Sequence, residues 1–425
     1  MEPTVKPLFV GIDISLNNLD ADIIDFDSKS YLNKNKSFRN SPSGLSELVS
    51  KVASIAKLNN FNKIIFGYEA TGNYGYHLPF YLSSDKNLSS FEKQIFQINP
   101  KIIKNFRKAY SELPKTDGTD STLIAERLKL GKIQPYLLFD PQCHSLRILT
   151  RQRFDIIQKI VSEKSRFISN MFIKASGFAQ NRIFSNVFGA TSAFFMTMFE
   201  SVNDIADTPI KKIIDIVVEK SKNKIRNIKK IAETISYVAR ESYRPDRVIH
   251  DSINNSLIIS YNHIKYLKSE CNKLDDQITN AVSIFKNQYN ILTSIKGIGP
   301  VFAAGIIAEI GDINLFSDQS QVAKYSGLIW RLKQSGKFKS EETALTKSGN
   351  KYLRYYLVQA AQSIVTHNPD FRKYYSKKLR EAKKHKHKRA IVFVARKLIR
   401  VIFCLLKNNK LYVSPRVMTP TMPKA

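Results

Sequence analysis

Leu8-Phe9-Val10-Gly11-Ile12-Asp13-Ile14-Ser15 is a short apolar run that ends on an acid, followed by a turn at Asn17-Asn18. Its length and composition are those of a buried strand. A carboxylate at the C-terminal end of a central strand has nothing to pair with in an apolar interior unless a cation is present. Working outward, Leu19 to Asp25 shows mixed alternation and Tyr31 to Phe38 supplies a third strand, so the chain is expected to open as a β-meander.

Residues 44–56 have helical spacing, and Asn62-Lys63-Ile64-Ile65-Phe66-Gly67-Tyr68-Glu69 is a second apolar strand ending on an acid. It runs into Ala70-Thr71-Gly72-Asn73-Tyr74 and a helix through Tyr81-Leu82. A further strand is expected at 94–98, broken by Asn99-Pro100, and a short basic helix at 101–108. Lys115-Thr116-Asp117-Gly118-Thr119-Asp120 then starts another helix, with Thr116 or Asp117 offering an N-cap oxygen. The three-residue spacing sets Asp117 and Asp120 on one helix face, where like charges repel. Taken alone, the pair reads first as an acidic helix start favoured by the macrodipole. Three strands, helix, strand, helix, strand and helices, with acids ending strands one and four and opening a late helix, is the layout of a ribonuclease-H-like nuclease core.

The charge balance points to the partner. Lys+Arg 67 against Asp+Glu 36 gives a net charge of +31, an excess that suits a polyanion whose phosphates release counterions to lysine and arginine. An anionic membrane surface competes, but no signal peptide or transmembrane-length apolar run is visible. Three widely spaced cysteines, Cys143, Cys271 and Cys404, fit a reducing compartment and no cysteine-based metal site. A cytoplasmic nucleic-acid-binding protein is expected.

Composition changes near Pro141. Residues 144–174 lack Gly and Pro and are expected to form one long helix, with a less regular section at 177–207 and helices at 210–218, 225–240 and 257–285. The last carries Ile264, Leu267, Cys271, Leu274, Ile278 and Val282 at near-heptad spacing, which serves a coiled-coil arm to another subunit or an intramolecular bundle. From Ile291, Lys296-Gly297-Ile298-Gly299-Pro300 leads into a small-residue helix and resembles a helix-hairpin-helix element. Such an element holds a DNA phosphate on backbone N–H groups; a tight turn without ligand is the alternative. The expected fold is thus α/β plus α. An N-terminal domain at 1–140 is followed by a helical coiled-coil region at 141–288. A mainly helical domain at 289–412 and a disordered tail at 413–425 complete the chain.

Two sets of residues carry possible chemistry. Asp13, Glu69, Asp117 and Asp120 come from three elements of one domain and would repel unless divalent cations neutralised them; carboxylates select hard ions such as Mg²⁺ or Mn²⁺. Two such ions can stabilise the attacking and leaving oxygens of phosphodiester cleavage. Ser335, in Gln334-Ser335-Gly336, is an ordinary turn residue or a nucleophile, with Arg331, Lys333, Lys337 and Lys339 placed to stabilise developing charge. Residues 371–400 hold thirteen Lys/Arg and one acid, Glu381. Arg151, Arg153, Lys347, Arg354, Lys386, Lys388 and Arg389 are further candidates for phosphate contact, with Lys296, Gly297 and Gly299 in the hairpin turn. His385 and His387 are expected on a solvated face.

These motifs together resemble the insertion-sequence transposases that pair a DEDD-type RuvC-like domain with a C-terminal serine-bearing domain, the bridge-RNA-guided recombinases. The resemblance rests on Val10 to Ser15, Tyr68 to Tyr74, Asn99-Pro100, Lys115 to Asp120, Leu149-Thr150-Arg151-Gln152-Arg153, Gly297 to Pro300, Gln334-Ser335-Gly336, Thr346-Lys347-Ser348-Gly349-Asn350 and Leu353-Arg354. It implies a metal-binding tetrad at Asp13, Glu69, Asp117 and Asp120, a nucleophilic serine at Ser335 and Mg²⁺. It also implies double-stranded DNA partners, a structured non-coding guide RNA, a dimer or tetramer with composite sites, and work in a prokaryotic cytoplasm on the nucleoid. Ser121 stands where the family usually has alanine, and Trp330 where proline is common, which bears on the path of the serine loop. The rival functions are a metal-dependent structure-specific nuclease using water, an actin-like phosphotransferase and a non-catalytic nucleic-acid binder.

Overall fold

The computed structural model describes residues 6–26, 32–69, 72–108, 117–131, 140–330, 334–335, 338–339 and 344–414, with backbone alone at 35, 117–119, 334–335 and 338–339. They form two compact units, Met1–Asp140 and Pro141–Ala425.

The first unit is built on strands β1 (Pro7–Ile14), β2 (Asn18–Asp25), β3 (Asn33–Arg39), β4 (Lys63–Glu69) and β5 (Glu92–Ile98). They lie in the order β3-β2-β1-β4-β5; β1 is antiparallel to β2 and parallel to β4, and β5 runs parallel to β4. Helices α1 (Pro42–Leu58), α2 (Leu78–Ser84), α3 (Pro100–Arg107) and α4 (Asp117–Lys129) complete it. The expected meander and the expected succession of strands and helices along the chain are present, consistent with a ribonuclease-H-like domain. Alternation along β1 makes two cores. Leu8, Val10 and Ile12 pack with Leu48, Val49 and Val52 of α1, while Phe9 packs with Ile24, Ile98, Leu123, Ile124 and Leu128 around α4.

In the second unit α5 (Pro141–Lys174) pairs with α11 (His250–Val282). Arg153 meets Asp275 and Lys174 meets Asn254, so the two helices run antiparallel. Ile264, Cys271, Leu274, Ile278 and Val282 are buried within the chain's own cores. Of the two alternatives for the heptad stripe, the intramolecular one accounts for it. Between the long helices, α6 (Ser176–Gln180), α7 (Ala190–Thr197), α8 (Val202–Asp207), α9 (Ile210–Ser221) and α10 (Ile228–Arg240) form a cap around Phe167, Phe195, Ile213 and Ile235. The section expected to be irregular therefore holds three short helices, one closed by a Ser201/Asp204 capping box. Lys174 ties the cap to both long helices, its ammonium donating to the carbonyls of Met196 and Phe199 and to Asn254 Oδ1.

The remainder comprises α12 (Lys286–Thr293), α13 (Pro300–Ile310), α14 (Gln319–Tyr325), a small hairpin of β6 (Gln334–Ser335) and β7 (Phe338–Lys339), then α15 (Lys351–His367), α16 (Pro369–Glu381) and α17 (Lys386–Lys407). The small residues of α13 admit α15 closely. A Cβ on Gly305 would stand 2.4 Å from the Tyr356 ring, and the buried Tyr356 hydroxyl donates to the Thr150 carbonyl at 2.6 Å. Among the described residues no helix is long and apolar enough to cross a membrane. Of the tail expected to be disordered at 413–425, Val413 and Ser414 are described, with Ser414 Oγ donating to Asp370 Oδ2 at 2.5 Å, and the rest lies outside the described residues.

Candidate active site

Asp13 stands directly across from Asp20 in the β1–β2 ladder. It lies one residue beyond the Ile12–Tyr68 pair of β1 and β4, and so beside Glu69. Alternation puts Phe9, Gly11 and Asp13 of β1, and Ile65, Gly67 and Glu69 of β4, on the face covered by α4. Both carboxylates are half-buried. Glycine on both strands lets the helix descend onto the sheet: Gly11 and Gly67 are register partners. A Cβ on Gly11 would stand 2.2 Å from the Ser121 carbonyl oxygen and 2.4 Å from the Ala125 nitrogen. A Cβ on Gly67 would meet the Leu128 methyls at 2.8 Å.

On α4, Asp117 is the first helical residue and its side chain lies outside the described residues, as does Thr116. Asp120 is ion-paired with Arg107 at the end of α3. Asp22, a residue that sequence reasoning passed over, is fully buried on β2 and opposite Gly11. Its Oδ2 accepts from Ser121 Oγ at 3.2 Å and from Thr122 Oγ1. The signal for it was positional, an acid in register with Gly11 on the strand next to Asp13. Among the described residues no group of three His, Cys, Asp or Glu side chains is close enough to hold a metal ion. The donors are nonetheless all carboxylate oxygens, and like charges opposite each other at Asp13 and Asp20 favour a cation. In chemistry and in the face they share, these residues fit a hard divalent ion.

In the second unit, Ser335 pairs with Phe338 across the β6–β7 hairpin. Its side chain and that of Lys339 lie outside the described residues, as do Arg331, Lys333 and Lys337 entirely. The base of this segment is pinned where Trp330 bridges to Leu345 and the Thr346 N–H donates to the Ile329 carbonyl at 2.9 Å. Trp330 stacks on Phe393 of α17 with ring centroids 4.9 Å apart, so it anchors the start of this segment.

A polar hub lies at Glu309, buried in α13. Arg151 donates to both its oxygens, at 2.7 and 2.9 Å, and Asn350 Nδ2 donates to Oε2 at 2.6 Å. Asn350 also caps α15, its Oδ1 accepting from the Tyr352 and Leu353 N–H groups. Arg153 donates to both oxygens of Asp275, whose carboxylate outweighs the opposing effect of burial and raises the arginine pKa. Arg151 and Arg153, expected to touch nucleic acid, are thus committed to internal carboxylates in this fold. Both partners are acids far off in sequence.

The other candidates divide. Lys296 is exposed in the turn between α12 and α13. Gly297, at φ +105°, is required by packing, since a Cβ would meet Ile364 Cα at 2.8 Å. Gly299 faces open space at the N-cap of α13. Lys347 is exposed in the left-handed region at φ 49°. Arg354 donates to the Ser326 carbonyl at 2.9 Å, and burial lowers its pKa. Lys386 and Lys388 are exposed at the start of α17 and Arg389 is half-buried. The His387 ring is also paired, its Nδ1 2.8 Å from the Tyr375 hydroxyl.

Residues 289–376 match the family described as Transposase IS116/IS110/IS902, and residues 10–172 match the DEDD transposase domain of IS110 type. The chain is 24% identical over 318 residues to the insertion element IS116 uncharacterized 44.8 kDa protein of Streptomyces clavuligerus, covering 74% of this chain and 76% of that protein. Over 152 residues it is 28% identical to the pilin gene-inverting protein of Moraxella bovis, covering 35% of this chain and 47% of that one. Over 122 residues it is 31% identical to the transposase for insertion sequence element IS1111A of Coxiella burnetii, covering 28% of this chain and 33% of that one. The chain belongs to the IS110 family, with a DEDD domain toward its N-terminal end, and is a DNA transposase.

Proposed function

We propose that this transposase cuts and rejoins DNA strands at the ends of an insertion sequence and at its target, directed by a structured guide RNA. Asp13, Glu69, Asp117 and Asp120 would hold Mg²⁺ or Mn²⁺, and Ser335 would be the nucleophile. The observation that carries this reading is the seating of α4 on Gly11 and Gly67, which sets the acidic helix start over the same sheet face as Asp13 and Glu69.

When bound, a divalent ion supplies charge stabilisation to phosphate oxygens. The chain's own groups do the rest. Ser335 Oγ loses its proton as it bonds to phosphorus, and the displaced sugar oxygen takes up a proton as the P–O bond breaks. Attack by a second sugar hydroxyl on that phosphoserine reverses the exchange and releases the serine. Exposed Lys296, Lys347, Lys386 and Lys388 hold backbone phosphates without reading sequence, which leaves targeting to the RNA. Exposed Val161, Ile168 and Phe172 on α5 support a subunit contact in a dimer or tetramer.

The test is strand cleavage by Ser335→Ala beside Asp120→Asn. Loss in both supports the serine mechanism. Full cleavage by Ser335→Ala with loss in Asp120→Asn would instead mark a nuclease that uses water. Sequencing the RNA that co-purifies with the protein tests guidance, and recovery of only random host RNA would count against it.

A further inference from the structure

We infer that Asp22 is a positioning residue of the acidic site, acting through Ser121 and Thr122 to fix the rotation and height of α4. The inference rests on the metal reading proposed above. Asp22 is fully buried, yet its Oδ2 collects hydroxyl donors from two consecutive residues of α4, immediately after Asp120. Consecutive helix residues point about 100° apart and do not normally share a partner. Both reach Oδ2 because Gly11, the cross-strand partner of Asp22, lets the backbone of the first turns of α4 come down against the sheet beside the carboxylate.

A buried carboxylate is costly without hydrogen bonds, whereas an apolar side chain would pack the same space without directional demand. The directional contact is what a ligand-bearing helix needs. A slip of one residue moves α4 by about 1.5 Å and turns it by about 100°. Such a slip would break both hydroxyl bonds and carry Asp120 away from the face shared by Asp13 and Glu69. Asp22 thereby ties the height of Asp120 to β2, whose neighbour β1 holds Asp13. Ser121 is integral to this clamp.

The test is Mn²⁺ affinity of the full-length protein, read from the loss of the free-ion electron paramagnetic resonance signal, with circular dichroism as the check on folding. Removing both hydroxyls in Ser121→Ala/Thr122→Val is expected to weaken Mn²⁺ binding about tenfold or more, the range for groups that orient metal ligands. Restoring one hydroxyl in Ser121→Ala/Thr122→Ser should recover much of the loss. Asp22→Asn, which keeps the shape, should fall between. Wild-type affinity in the double variant, with or without a lower melting temperature, overturns the positioning role if Asp13→Asn and Asp120→Asn abolish binding. Unchanged Mn²⁺ binding in Asp13→Asn and Asp120→Asn overturns the metal reading itself, and the positioning role with it.

Discussion

Arg151 grips Glu309 with both arms of its guanidinium, at 2.7 and 2.9 Å, across 158 residues of sequence. The acid is buried in α13 and also accepts from Asn350, the cap of α15. Glu309→Ala would leave these donors without their acceptor. Breaking a buried pair costs about 3–5 kcal/mol, and the partial exposure of Arg151 brings the expected loss nearer 2–3 kcal/mol. Urea unfolding measures it, and Glu309→Gln should cost distinctly less. The loss should also loosen the start of α15, seen as faster amide exchange at Tyr352 and Leu353.

Gly11→Ala tests the seat of α4. The added methyl would collide with the backbone of Ser121 and Ala125, and overpacking of this kind typically costs about 1–3 kcal/mol. Because backbone cannot rotate aside, the helix must lift. The variant is therefore expected to lower the midpoint of unfolding and to weaken divalent-ion binding together. Gly72→Ala, where a Cβ meets nothing, should leave ion binding unchanged and cost stability only through its left-handed backbone.

Lys174 makes stability depend on pH. Burial lowers its pKa from 10.5 to about 8, against the opposing pull of Asp204 and Glu200. Between those values the unfolded chain holds the proton and the folded chain does not, so stability rises with pH across that window. Below pH 8 both forms are charged and the full cost of burying the ammonium remains. Relative to Lys174→Met, the wild-type protein is expected to gain about 3 kcal/mol as pH rises from 8 to 10.5. Chemical denaturation of both proteins at matched pH measures the difference, and a flat difference would contradict it.

Arg107 is paired with Asp120, so it competes for a carboxylate assigned to the metal. Arg107→Gln removes the competing charge while keeping a polar side chain. Mn²⁺ affinity is expected to rise several-fold, and a lower affinity would show that the arginine assists the site.

What the sequence makes legible follows from how local each signal is. The apolar run from Leu8 to Ile12 that ends on Asp13 is a local property, and the strand and its acid were readable from it, whereas its two faces are set by the helices that cover them. The stripe at Ile264, Cys271, Leu274 and Ile278 is equally local but is silent about its partner. An antiparallel helix of the same chain and a second subunit ask for the same spacing. The carboxylate partners of Arg151 and Arg153 were not legible because Glu309 and Asp275 lie 158 and 122 residues away. Asp22 escaped notice for the opposite reason, since one of three acids in a mixed strand, beside Asp20 and Asp25, looks solvent-facing until a helix is laid over it. Asn350 was visible as part of a motif, but its double duty as cap and Glu309 partner exists only in three dimensions.

The most direct measurement is the trapping of a covalent protein–DNA adduct on a nicked substrate that cannot be rejoined, followed by peptide mapping. A phosphoserine at Ser335, formed only with Mg²⁺ or Mn²⁺ and absent in Asp120→Asn, is the predicted result. Strand cleavage that leaves free phosphate ends and no adduct, undiminished in Ser335→Ala, would contradict it.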